Sequence, residues 1–343
     1  MVKNLTAKNL TIKVFICLAV LAVVMCLCAM VGTQKVSLEK VFAGPGEEAG
    51  QAIDYKIFVG VRLPRVILAA LVGAALACAG VVLQAILRNP LADPYILGIS
   101  SGAGLGVITA FLFGATWGFF WGGAIAVFAF TGASLTVWLV WCIGRFTGKS
   151  QVTNLLLAGV VVNAFFSAVI MFLTSIANSE QLRSTIYWLM GNITEKDWLV
   201  LWVSAGCILA GIIGLFNICH KLNILTFGQE EAKALGVDAA KTRLVAFGFA
   251  AFITAIAVSL SGLIGFVGLV IPHGVRLVFG PDHRQLLPLS AIIGSIFLVI
   301  ADTLARTIVA PAQLPVGVIT AIVGGPFFLV LLAKYSRKVS WLK

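Results

Sequence analysis

Charge is scarce in this chain. Only 11% of its 343 residues are Asp, Glu, Lys or Arg, where a soluble domain carries about 25%. Sixty per cent are hydrophobic, and the mean hydropathy is +1.07. Too few polar residues remain to cover a globule, which excludes a soluble enzyme, a disordered chain and a nucleic-acid-binding module. The usual materials of catalysis are thin as well. His220, His273 and His283 are the three histidines; they lie far apart and form no metal-ligand spacing. The seven cysteines (Cys17, Cys26, Cys28, Cys78, Cys142, Cys207 and Cys219) sit in or beside apolar runs, with no CxxC. An odd number scattered in this way reads as small packing residues, not as a disulfide framework. Neither an HExxH nor a Ser–His constellation is present. Gly148-Lys149-Ser150 ends like a phosphate-binding loop, but that pattern needs a glycine at position 143, which is Ile143. No catalytic centre, ATP site, metal site or cofactor is expected in the chain itself.

Apolar length is what the chain has in abundance. About 20 apolar residues make one membrane-spanning helix, and apolar runs stand at about 14–32, 62–86, 95–113, 118–143, 152–177, 197–218, 243–261, 263–279, 286–304 and 314–333. The expectation is an all-α integral membrane protein of about ten spans, forming a single transmembrane domain over 1–343. An even number puts both termini on one side. With that side cytoplasmic, 16 Lys and Arg fall inside and 8 outside, while 5 of the 13 acids fall inside and 8 outside. The whole net charge of +11 is then a cytoplasmic excess, as the positive-inside rule requires.

The spans hold almost no ionisable groups, which are expensive at membrane depth and mark ion-coupled transporters. Asp302 and Arg306, four residues apart near an outer helix end, are placed to pair. Glycine is frequent, at 35 residues. Gly98, Gly102 and Gly106, and Gly118 with Gly122, are spaced to let helix backbones approach. Pro272, Pro311, Pro315 and Pro326 are expected to interrupt the last third. Two connections are long. The outer one, at about 33–61, contains Gly44-Pro45-Gly46. The inner one, at about 219–243, has helix start and stop signals: acids at Glu230 and Glu231, Lys233 near the end, Gly236 beyond, and Asp238 as a second N-cap. A short cytoplasmic helical hairpin, suited to docking a partner, is expected there. Without its own source of energy, such a chain reads as the membrane subunit of a multi-part transporter.

The residues also resemble a known family. Arg62-Leu-Pro-Arg65, Arg88-Asn89-Pro90-Leu91-Ala92-Asp93-Pro94, Leu97-Gly98-Ile-Ser-Ser-Gly102, Tyr187-Trp188-Leu-Met-Gly191, Ala232-Lys-Ala-Leu235-Gly236, Gly265-Phe-Val-Gly268-Leu-Val-Ile-Pro272-His273, Asp282-His283-Arg284 and Leu314-Pro315-Val-Gly317 run in the order found in the FecCD-type permeases of type II ABC importers. These are membrane subunits for iron–siderophore, haem and cobalamin uptake. The resemblance implies the ABC type II importer permease fold in a bacterial or archaeal plasma membrane. It implies a second permease copy (homodimer or close paralogue), two cytoplasmic ATP-binding subunits, an extracytoplasmic substrate-binding protein, and no nucleic acid.

Carried over residue by residue, it implies binding-protein docking through Arg62, Arg65 and Arg306, unless these arginines only anchor the outer interface or pair with Asp302. It implies ATPase coupling through Gln229, Glu230, Ala232, Leu235 and Gly236 in the hairpin at about 221–243. It implies an inner gate at Asn89, Leu91, Ser150 and Thr153, with Gly148-Lys149-Ser150-Gln151 departing from the relatives. The outer constriction would lie near 183–191, where Arg183 either faces an anionic cargo or is an ordinary loop charge. A ferric siderophore is the expected cargo, with haem or cobalamin as alternatives and a stand-alone secondary transporter as a distant one.

Overall fold

The computed structural model describes residues 7–32, 34, 36–42, 44, 53–113, 123–146 and 151–340. Every regular element among them is helical. Helix α1 (Ala7–Met30) is followed by the short α2 (Leu38–Phe42). The chain becomes helical again at residue 53, passes through a π-helical stretch at Lys56–Arg62, and runs on as α3 (Leu63–Leu87). The outer connection is therefore shorter than the expected 33–61. Lys56 and Gly60 read as loop, yet Ile53, Ile57, Phe58, Val59 and Val61 give that stretch enough apolar surface to continue the helix. Pro45, Gly46, Gly118, Gly122 and 148–150 lie outside the described residues.

A 3-10 turn at Pro94–Leu97 leads into α4 (Ile99–Leu112), followed by α5 (Gly123–Phe146) and α6 (Gln151–Ile176). The short α7 (Ser179–Leu189) precedes α8 (Trp198–Asn217). Helices α9 (Cys219–Leu225) and α10 (Gln229–Ala234) form a hairpin before α11 (Ala239–Ser261), α12 (Val267–Phe279), α13 (His283–Thr307) and α14 (Val316–Ser340). Among the described residues seven helices are long and apolar enough to cross a membrane, and three shorter apolar ones stand at Ile99–Leu112, Val267–Phe279 and Val316–Val330. Together they occupy the positions of the ten expected spans.

Helix α3 is the axis of the bundle. Apart from Arg65 and Gln84 its side chains are small or apolar all round, the pattern of a helix with no exposed face, and nearly all of them are buried from Pro64 to Leu87. Helices α11, α12 and α13 pack along it. Two crossings bring backbones into direct contact. A Cβ at Gly73 would collide with the Gly294 carbonyl on α13, and one at Gly80 with the Gly268 carbonyl on α12. Helix α1 differs, exposing Phe15, Ile16, Val23 and Leu27 as a helix facing lipid does.

The expected proline breaks are only half realised. Pro272 and Pro326 lie inside continuous helices, and Pro311 and Pro315 fall in the α13–α14 connection. The helical path is instead broken at 262–266, between α11 and α12, where Gly262 and Phe266 take positive φ values of 67° and 69°. Unwound backbone at membrane depth must be satisfied by protein. The Tyr95 hydroxyl does so: it donates to the Ile264 carbonyl and accepts from the Ile264 N–H, each at 3.0 Å. Asn192 N–H donates to the Ser261 carbonyl at 2.7 Å.

Tyr95→Phe removes both of Ile264's partners while keeping the ring. The loss of a buried polar partner costs about 1–3 kcal/mol. The variant is therefore expected to melt at a lower temperature in a detergent thermal-shift assay. An unchanged Tm would mean that the hydroxyl does not hold the break.

Candidate functional site

Charged side chains gather at the two ends of α3. At its N-terminal end, which the charge count reads as the outer one (the C-terminal end then being the inner), the π-helical stretch delivers Arg62 and the first turn of α3 delivers Arg65. The last turn of α13 brings Asp302 and Arg306 alongside. All are buried, with exposures of 4%, 5%, 0% and 6% respectively. Arg65 clamps Asp302 with Nε at 3.1 Å from both carboxylate oxygens and Nη2 at 2.9 Å from Oδ1, and its Nη1 donates to Gln313 Oε1 at 3.0 Å. Arg306 Nε stands 3.1 Å from Asp302 Oδ2 without an aligned hydrogen bond; its Nη2 donates to Thr303 Oγ1 at 3.1 Å and the Cys28 carbonyl at 3.3 Å. Arg62 is held by the carbonyls of Ala29, Met30 and Gln34. Gly32 makes room for it, since a Cβ there would come within 2.7 Å of the guanidinium.

The structure thus brings the three expected arginines together, within electrostatic reach of one another, and forms the expected Asp302–Arg306 pair. It places them inside the bundle, not on an open face. Two guanidinium groups share one carboxylate, and the third is hydrogen-bonded to carbonyls with Asp54 within electrostatic reach, so three guanidinium groups face two carboxylates and the cluster keeps a cationic excess.

At the inner end, α3 stops at Arg88, whose φ of 47° is left-handed. Asn89 makes the turn that follows. Its N–H donates to the Gln84 carbonyl at 3.2 Å, its carbonyl accepts from Ala92 N–H at 3.1 Å, and its Oδ1 accepts from Leu91 N–H at 2.9 Å. Leu91 is exposed at the tip. Asp93 then caps the 3-10 turn, accepting from Tyr95 N–H at 2.9 Å. Burial pushes the Asp93 carboxyl up to about 6, against the opposing pull of that hydrogen bond. Of the other two expected gate residues, Ser150 lies outside the described residues and Thr153 is in the first turn of α6. That helix packs on the 3-10 turn so closely that a Cβ at Gly159 would come within 2.6 Å of the Ile96 carbonyl.

The α9–α10 hairpin lies beside this turn. Gly228 and Gly236 flank α10 with φ values of 152° and 74°, and Asp238 caps α11 through Lys241 N–H at 3.0 Å, as its sequence signals imply. Gln229, Glu230, Leu235 and Gly236 are exposed. Ala232, grouped with them on sequence grounds, is fully buried and holds α10 against the body. Phe227 was not singled out in the sequence, yet it and Leu235 are 75% and 63% exposed, an apolar pair on a polar hairpin.

Arg88 was also missed as a functional residue in its own right. Its Nη2 donates to the Leu225 carbonyl at 3.1 Å, joining the 88–93 loop to the hairpin. A backbone acceptor 137 residues away leaves no trace in a sequence motif. On α7, Arg183 is exposed and lies 5.8 Å over the Tyr187 ring.

Comparison with known proteins bears on the family and the fold. The model of the FecCD transport family matches residues 20–334. A cobalamin import system permease protein of Halobacterium salinarum is 42% identical over 278 residues, spanning 81% of this chain and 73% of its own. A hemin transport system permease protein of Yersinia pestis is 41% identical over 291 residues, 83% of this chain and 86% of its own. Among solved structures, a metal-chelate type ABC transporter in an inward-facing conformation superposes with a TM-score of 0.83 at 31% identity, over 94% of this chain and 99% of that one.

Two outcomes follow for the charged residues. Asp302→Ala strands Arg65 and Arg306 in a buried setting, where removing one partner of an ion pair costs about 3–5 kcal/mol. Its Tm is expected to fall well below that of Asp302→Asn, which keeps an acceptor; equal Tm values would deny the pairing its role. Asp93 has a folded pKa above its ordinary 3.8, so its contribution to stability is complete below about 4 and is lost as the pH rises through about 6. Asp93→Asn keeps the cap and cannot ionise. It is expected to exceed the parent in Tm above pH 7 by an amount that vanishes below pH 4, and a constant difference across pH would refute the shift.

Proposed function

Because the chain belongs to the FecCD transport family and has the all-helical fold of a type II ABC importer permease, we propose that it is the non-catalytic membrane subunit of an ATP-driven importer of metal chelates. The observation that carries this reading is the α9–α10 hairpin: a short, capped structure presenting Phe227 and Leu235. Two cytoplasmic ATPases would each seat one hairpin of a permease pair. ATP-driven closure of the ATPases would then move α10 and, through Leu225 and Arg88, the 88–93 loop that carries Asn89 and Leu91. That loop, together with Thr153 and Ser150, serves as the inner gate in this proposal.

Asp302, held by two arginines, is poorly suited to carry protons, which argues against a stand-alone ion-coupled transporter. On the outer face, an extracytoplasmic binding protein would dock over Arg62, Arg65 and Arg306. Their cationic excess suits acidic side chains of a partner, and charge pairs of this kind set register and association rate more than affinity. Docking through them requires that some internal acceptors be exchanged for carboxylates of the binding protein.

A ferric siderophore is the proposed cargo. Haem and cobalamin form the second reading, favoured by the relatives named for those cargoes. Proteoliposomes holding the permease, its ATPase and its binding protein are expected to take up a ferric siderophore only with ATP. Leu235→Glu, which puts a charge on the hairpin's apolar face, should lower the rate at least about tenfold. Uptake driven by an ion gradient without ATP would sink the reading.

A further inference from the structure

Behind the 88–93 loop lies a cavity of about 260 Å3 that the transport reading does not use, with Gln84, Arg88, Thr226, Arg276 and His283 in its wall. Its floor is buried at Gln84 and His283, while Arg88 and Thr226 stand exposed at the rim. Arg276 donates to Gln84 Oε1 at 3.0 Å, and the amide of Gln84 is turned that way because its Nε2 faces the Gly268 and Leu269 carbonyls at 3.4 and 3.3 Å. Arg88 gives one N–H to Leu225. Among the described residues, neither arginine has a carboxylate partner; the nearby Asp282 is occupied by Arg284 at 2.7 Å. A guanidinium carries five N–H donors, so both arginines keep donors for a ligand. Arg243 adds positive charge within electrostatic reach of Arg88.

The histidine in the wall has a fixed tautomer. Asn223 Nδ2 donates to Asp282 Oδ1 at 2.8 Å, which orients the Asn223 amide. Asn223 Oδ1 then accepts from the His283 backbone N–H at 2.9 Å and from His283 Nδ1 at 2.7 Å. The ring proton of the neutral imidazole is therefore on Nδ1. Among the described residues Nε2 is left as a bare acceptor, buried and without a partner. It is closed off from the cavity's open space, so what the cavity offers is guanidinium donors for an anionic oxygen.

We propose that this pocket binds a phosphate group: inorganic phosphate itself, or the headgroup of phosphatidylglycerol. Arginine suits phosphate through paired N–H donors, and basic pockets between helices on the cytoplasmic side take anionic lipid headgroups. A phosphate between Arg88 and Arg276 ties the end of α3 to α12. Because Arg88 also holds Leu225, it stiffens the joint between the 88–93 loop and the hairpin.

The test uses the full chain in detergent and follows Tm. The added ligands are short-chain phosphatidylglycerol, phosphatidylcholine of equal chain length, inorganic phosphate and sulfate. Tm is expected to rise saturably with phosphatidylglycerol or with phosphate and sulfate, not with phosphatidylcholine. A response to the inorganic anions alone identifies a soluble anion, and a response to phosphatidylglycerol alone a lipid headgroup. R88Q and R276Q should each weaken the midpoint about fivefold. Should R276Q fail to fold, R88Q at the exposed rim and the loss of parent binding with rising salt carry the test. Equal shifts with both lipids, no shift with any ligand, or unchanged midpoints in the variants overturn the proposal. Loss of ATPase association in the variants, without phosphate or lipid binding by the parent, assigns the pocket to a protein partner instead.

Discussion

Hydrocarbon offers no hydrogen bonds, so every departure from continuous helix and every charge in a spanning segment needs a partner from the chain itself. The break at 262–266 shows what this demands. Ile264 leaves the helical ladder, and both of its backbone groups go to the single hydroxyl of Tyr95. Tyr95 is not a neighbour in sequence. It stands on the 3-10 turn that follows the 88–93 loop, so satisfying the break also fixes where that loop leaves α3. Asp93, which caps the turn, and Asn89, which starts it, are thereby tied to the α11–α12 junction. The constraint that makes the break tolerable also couples it to the inner end of the bundle.

The same constraint explains the form of the outer end. Arg65 and Arg306 are buried because Asp302 lies between them, and Arg62 because α1 ends in free carbonyls at Ala29 and Met30. Helix termini leave their last carbonyls unpaired, and a guanidinium takes several at once. Arg62 is thus both the stop for α1 and the link between α1 and α3. Between the two charged ends, α3 meets α13 and α12 backbone to backbone at Gly73–Gly294 and Gly80–Gly268. Contacts without intervening side chains have no rotamers to adjust, so α3 suits a rigid strut between the ends.

What the sequence makes legible follows from the same physics. Spans are legible because apolar length is a local property. The Asp302–Arg306 pair is legible because four residues make one helical turn, and the cap at Asp238 because capping residues act within three positions. Arg65–Asp302, 237 residues apart, is legible as two separate charges but not as a pair. The helix from 53 to 62 was hidden by Lys56 and Gly60, whose loop-like character yields to the apolar residues around them. Ala232 was placed with its exposed neighbours because a motif does not tell which face of a six-residue helix packs inward. Arg88, whose partner is a backbone carbonyl, and the His283 tautomer, set by an amide that is itself set by a carboxylate, exist only as three-dimensional relations.

The location of charge bears on how such a chain is driven. A group that moves ions must change its protonation or occupancy at modest cost, and that requires a carboxylate free to lose its partner. Asp302 has four close contacts to two cations. Asp93 titrates in a turn at the inner end, away from the outer cluster. Cationic side chains stand at both ends of α3, each held by groups of the chain itself.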